Sequence, residues 1–147
     1  MATKLKLSDS VFLDTAYAIA LASTTDGFHL QARGLAEELK RGGSRLVTTS
    51  AILLEIGDAL SKAPYRQAAL QLVLSLRTDH NVEVVPLSDQ VFDEALKLYS
   101  ERPDKEWGLT DCISFVIMRA RSITEALTTD AHFQQAGFRA LLREATG

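Results

Sequence analysis

"SVFLDTAYAIALAS", residues 10–23, changes its period partway through. As far as Asp14 it is a short β-branched and apolar run of strand length, and from Thr15 a helical pattern takes over to about residue 23. The acid is left at the strand's carboxyl end. The same alternation recurs along the chain. "RLVTT" (45–49), "VEVVP" (82–86), "EALTTD" (125–130) and "FRALL" (138–142) are further strand candidates. Helical patterns separate them at about 27–41, ending at Gly42 and Gly43, then 50–62, 64–79, 88–101 opening at Ser88, 110–121, and 131–136 ending at Gly137. Strands separated by helices require right-handed crossovers, which predicts an α/β fold with a mostly parallel sheet and helices on both faces.

A chain of 147 residues with 46% apolar composition can bury roughly 70% of its unfolded surface, and no linker, repeat or low-complexity segment interrupts it, so a single domain over residues 1–147 is expected. "MATKLKLSDS" lacks the apolar core of a signal peptide, and the longest apolar run, "AYAIALA", is far short of a membrane span. A soluble, cytoplasmic protein without membrane contact is expected. Cys112 is the single cysteine and reads as a small core residue in a reducing compartment. His29, His80 and His132 show no zinc-type spacing and read as surface or packing residues. The net charge of −3 argues against a simple basic nucleic-acid-binding module.

The working crevice of an open parallel sheet lies beyond the carboxyl ends of its strands, so acids there carry the question of function. Asp14 closes the first strand and Asp130 closes "EALTTD". Asp111 heads the otherwise apolar "LTDCISFVIM" (109–118), where Thr110 is a candidate helix cap. In "TSAILLEIGDALSK", Ile52, Leu53, Ile56, Ala59 and Leu60 form an apolar stripe; Glu55 falls on its border and Asp58 on the outward side. Each acid has an ordinary reading: turn residue, helix cap, dipole partner or solvent-reaching side chain. Together they can converge on one crevice. Four clustered carboxylates raise one another's pKa unless a cation neutralises them, and an all-oxygen set suits Mg²⁺ or Mn²⁺ rather than zinc. Setting those four charges aside moves the formal balance from −3 to +1, so an acidic chain of this kind can still bind RNA.

At these motifs the chain resembles the PIN-domain ribonucleases, and within them the VapC-type toxins of toxin–antitoxin modules. The resemblance rests on "VFLDTAYAIAL", "TTSAILLEIGDAL", "WGLTDCISFVIM" and "EALTTDAHFQQAGF", and it covers nearly the whole chain. It implies a three-layer α/β/α fold, a homodimer, an RNA substrate, silencing by a cognate antitoxin, and Mg²⁺ or Mn²⁺ held by Asp14, Glu55, Asp111 and Asp130, with Thr110 matching a hydroxyl residue that often precedes the third acid. Hydrolysis by metal-activated water would leave 5′-phosphate and 3′-hydroxyl ends. In the fourth motif, relatives often carry a basic residue after the acid, where this chain has Ala131 and then His132. Arg33, Lys40, Arg41, Arg45, Arg66, Arg77, Arg119 and Arg121 are the candidate phosphate contacts.

Three other readings compete. A haloacid-dehalogenase-type phosphatase requires a second Asp two residues after the first, where this chain has Ala16. A non-catalytic RNA-binding PIN protein would typically have lost an acid. A housekeeping RNA-processing PIN nuclease shares every catalytic residue, and growth arrest on expression of the chain alone separates the toxin from it.

Overall fold

The computed structural model describes residues 8–144. Most of "MATKLKLSDS", on which the signal-peptide expectation rested, lies outside the described residues. In chain order the elements are β1 (Ser10–Leu13), α1 (Thr15–Ala22), α2 (His29–Gly42), β2 (Arg45–Thr49), α3 (Ser50–Ala59), α4 (Ala63–Thr78), β3 (Val82–Val85), α5 (Asp89–Glu101), α6 (Leu109–Ala120), β4 (Glu125–Leu127), α7 (Ala131–Gln135), β5 (Arg139–Ala140) and α8 (Leu141–Glu144).

The strands form one sheet in the order β3-β2-β1-β4-β5, with every pairing parallel. β1 lies at its centre, and Val11, Phe12 and Leu13 are all buried because both faces of a parallel strand are covered. From β1 the chain steps outward to β2 and β3, then returns to the opposite side for β4 and β5. With crossovers of constant hand, that reversal places the first four helices on one face and α5 to α7 on the other. The result is the expected three-layer α/β/α arrangement. The reversal also opens a crevice between β1 and β4 at their carboxyl ends, the topological switch point of the sheet.

The strand expected over 125–130 ends at Leu127, which leaves Asp130 as the N-cap of α7 rather than the last residue of the strand, and two further elements differ from the sequence-based expectation. The strand predicted over 138–142 is only Arg139–Ala140, and the apolar pair that follows it, Leu141 and Leu142, is buried as the start of α8. A short apolar run has no period of its own, so tertiary burial decides its form. The stripe predicted on α3 is narrower than expected: Ala51, Ile52 and Ile56 are buried, whereas Ala59 is exposed at the helix end.

An aromatic cluster ties the two layers at the crevice. Phe115 of α6 meets Phe133 of α7 edge to face with ring centroids 5.0 Å apart, and Phe133 in turn lies 6.2 Å from Phe12 of β1. Such pairs contribute beyond their buried area and restrict how their helices can rotate. Phe115 follows Asp111 by one turn, and Phe133 follows Asp130 by three residues, so this packing sets where both acids point.

Candidate functional site

Asp14 stands at the N-cap position of α1, yet its side chain does not cap the helix. Instead its Oδ2 accepts a 2.7 Å hydrogen bond from the hydroxyl of Thr128, just beyond β4. Asp14 is only 7% exposed, and burial pushes its carboxyl up from 3.8 to about 7; the Thr128 hydrogen bond opposes the rise, while the charges of Glu55 and Asp111 add to it. No basic side chain pairs with Asp14 among the described residues. Glu125, the other buried acid at 2% exposed, provides the contrast. It lies at the opposite end of the sheet and is held by Arg139 Nη1 at 2.6 Å and by the backbone N–H of Ser8 at 2.8 Å. Glu125 has a cation partner that accounts for it as a structural acid, whereas Asp14, left beside other acids, is a functional-site candidate.

Glu55 is partly buried in the middle of α3 and accepts a short hydrogen bond from the hydroxyl of Thr15, the residue after Asp14. Asp58, one turn later, is exposed, as the phasing of the helix predicted. Asp111 sits in the first turn of α6, whose N-cap is Gly108 rather than the expected Thr110. Its Oδ2 accepts the Gly108 N–H at 3.0 Å, so the ordinary helix-start role is present. It also lies 3.2 Å from His132 Nδ1. Burial raises the Asp111 carboxyl above its usual range, helped by the charge of Asp130 and opposed by Gly108 and His132. Asp130 caps α7 by accepting the His132 N–H at 2.8 Å, and its Oδ1 is 3.3 Å from His132 Nδ1. The crevice thus brings together all four acids singled out from the sequence, and two of them perform helix-start work as well.

Three further residues join them. Thr128 bridges two motifs, because its hydroxyl oxygen also accepts the backbone N–H of Asp130 at 3.0 Å. Thr15 holds Glu55. His132, expected to serve at the surface or in packing, sits between two carboxylates. Spacing carried a partial signal for two of these: Thr128 and His132 each stand two residues from Asp130, but only the fold shows which way they turn. Arg119 and Arg121, by contrast, lie at the far end of α6, about 12 to 15 Å along its axis from Asp111 at 1.5 Å per residue. Arg119 approaches the Ala136 carbonyl and Arg121 pairs with Glu83, so neither reaches the acids.

The donor set suits a cation. Asp111, Asp130 and His132 can each offer one ligand atom, with those atoms within 4.8 Å of one another. Asp14 and Glu55 add negative charge beside them. Carboxylate oxygens in the majority favour a hard divalent ion, and a bound ion would offset both the burial that chiefly raises Asp14 and Asp111 and the smaller repulsion from neighbouring acids.

A sequence model of the PIN domain matches residues 11–139. The 23S rRNA-specific endonuclease VapC20 of Mycobacterium tuberculosis is 27% identical over 129 residues, which cover 87% of this chain and 95% of that protein. The crystal structure of VapC20, a Sarcin-Ricin loop cleaving toxin, superposes with a TM-score of 0.78 at 24% identity, covering 87% of this chain and 95% of the other. VapBC2 from Rickettsia felis, bound to a DNA fragment from its promoter, gives a TM-score of 0.67 at 14% identity, covering 89% and 96%. At these identities the structural likenesses speak to fold. Among the described residues, no helix is long and apolar enough to cross a membrane.

Proposed function

This chain belongs to the PIN-domain family, and on that premise we propose that it is a metal-dependent endoribonuclease, the toxin of a toxin–antitoxin pair. One observation carries the proposal. Asp14 is a buried carboxyl pushed up to about 7 with no basic partner among the described residues, beside Glu55 of α3 and Asp111 of α6, and Asp111 in turn neighbours Asp130. Ionising such a group is costly unless a cation neutralises it, and that cation can then attract a substrate phosphate. The RNA endonuclease activity in the name of VapC20 supports the substrate class, and the VapBC2 assembly supports an antitoxin as partner.

In this reading Asp14, Asp111 and Asp130 would hold Mg²⁺ or Mn²⁺. When bound, such an ion supplies an acidified water and neutralises charge on the phosphodiester. Glu55, steadied by Thr15, orients the attacking water. Thr128 keeps the Asp14 carboxylate turned into the crevice and ties it to the Asp130 backbone. His132 Nδ1 faces both Asp111 and Asp130 and fixes their relative positions, and Thr110 precedes Asp111 in the first turn of α6.

The test is incubation of pure protein with total RNA, with Mg²⁺, with Mn²⁺ and with EDTA, followed by end-mapping. Cleavage that needs the ion and leaves 5′-phosphate ends is expected. Full activity in EDTA would overturn the mechanism. Expression of the chain alone should arrest growth; normal growth with active enzyme in the cell would instead favour a housekeeping nuclease.

A further inference from the structure

The acidic crevice accounts for the phosphodiester that reacts, but not for how the adjoining nucleotide is held. Beside it, the loop of residues 102–108 between α5 and α6 borders two depressions. A cleft of about 580 Å³ is lined by Tyr99, Arg102, Lys105, Trp107 and Gly108, and reaches Cys112 next to Asp111. A second of about 340 Å³ lies between the same loop and α7, and is lined by Asp104, Lys105, Glu106, His132 and Gln135. Lys105 and Glu106 line both, so this pair of opposite charges stands on the ridge between the larger cleft and the His132 side of the acids.

The loop's two cations are in different states. Arg102 is engaged, with two 2.9 Å hydrogen bonds to Asp104 and its guanidinium 5.2 Å from the centre of the Trp107 ring. Lys105 is partly buried and makes no ion pair among the described residues. Its charge acts on the neighbouring Asp104 carboxylate, which Arg102 already holds, and a cation outside any close ion pair still offers a phosphate the attraction the acids deny it. The cleft's wall is firm, since Trp107 is 4% exposed, packs edge to face on Phe115 and donates its indole N–H to Gln135 at 3.1 Å. Tyr99 is 51% exposed and presents an aromatic surface at the same cleft. A volume of this size accepts a nucleotide, and an aromatic ring with a neighbouring cation is the usual pairing for a single-stranded base and its phosphate.

We propose that this cleft seats the nucleotide adjoining the bond that is cut, with Lys105 on its phosphate and Tyr99 against its base. The assignment rests on the ribonuclease reading above and names the part of the substrate that reading leaves open. It also replaces the remote arginines of α6 with a cation at the site.

The chain's single tryptophan lies in this cleft and reports on it directly. Emission from Trp107 should be followed during titration with a mixed-sequence single-stranded RNA oligonucleotide in EDTA, for wild type, Lys105→Gln, Lys105→Arg and Tyr99→Leu, with melting curves showing that each is folded. Lys105→Gln should weaken binding at least about fivefold and lower the slope of log affinity against log salt by about 0.7, the share of one phosphate contact on a single strand. Lys105→Arg should restore both. Tyr99→Leu should weaken binding about fivefold or more with the salt slope unchanged. With Mn²⁺, the KM for RNA should rise in Lys105→Gln. Wild-type affinity and salt slope in Lys105→Gln, or Trp107 emission indifferent to RNA, overturns the assignment. If wild type still cleaves RNA in that case, only the cleft is lost; a wild type that cleaves no RNA removes the nuclease reading and the cleft with it.

Discussion

The hydroxyl of Thr128 and the carboxylate of Asp14 lie 2.7 Å apart across the switch point of the sheet, 114 residues distant in sequence. Because the same hydroxyl oxygen also accepts the Asp130 N–H, one side chain connects the acid after β1 with the acid after β4.

Thr128→Val keeps the shape and removes the hydroxyl, leaving Asp14 short of a donor and the Asp130 N–H short of an acceptor. The cost should be about 1 to 3 kcal/mol of stability. Since that hydrogen bond holds the Asp14 carboxyl down, its loss should raise the carboxyl further and move the pH dependence of RNA cleavage to higher pH. Thr128→Ser should return both properties. Melting curves in EDTA and a pH–rate profile in Mn²⁺ measure the two effects, and an unshifted profile would show that ionisation of Asp14 does not limit the rate.

The raised Asp14 carboxyl makes stability depend on pH. Between its ordinary value of 3.8 and about 7 the folded protein holds a proton that the unfolded chain has released. Stability is therefore fully present below that window and is lost as pH rises through it, by up to about 4 kcal/mol from this group. Asp111, also raised by burial, contributes with the same sign. The melting temperature in EDTA should fall from pH 5 to pH 8. Adding Mn²⁺ should oppose the fall, because binding stabilises the ionised form. Asp14→Asn should flatten the metal-free profile, and a wild type equally stable at pH 5 and pH 8 in EDTA would contradict the burial argument.

Glu55 and Asp58 share one helix and one charge but not one environment, since Glu55 is partly buried against Thr15 and Asp58 is exposed. Glu55→Gln should lower the cleavage rate at least about a hundredfold while the Thr15 hydroxyl keeps an acceptor, whereas Asp58→Asn should change it little. Equal losses from the two would mean that α3 presents a different face to the crevice under turnover.

The order of strands and helices was legible in the residues because each element carries its own period, and periodicity is a local property. The position of Asp14 at a strand end and of Glu55 on the border of a stripe followed from the same reading, and so did the outward facing of Asp58, whereas Asp130 stands three residues beyond β4 as the N-cap of α7. Local pattern reached its limit at Arg139–Leu142, where burial alone divides a two-residue strand from a helical turn. What tertiary structure alone decided is the company each residue keeps. The sheet order β3-β2-β1-β4-β5 sets β4 beside β1, and only then does Thr128 meet Asp14. Packing of Phe115 on Phe133 brings His132 between Asp111 and Asp130, and the turn of the 102–108 loop sets Lys105 on the ridge that Arg119 and Arg121 cannot reach. A side chain's chemistry is written at its own position, but the field it experiences is the sum over neighbours that the fold brings near, and at this site those neighbours come from five separate elements.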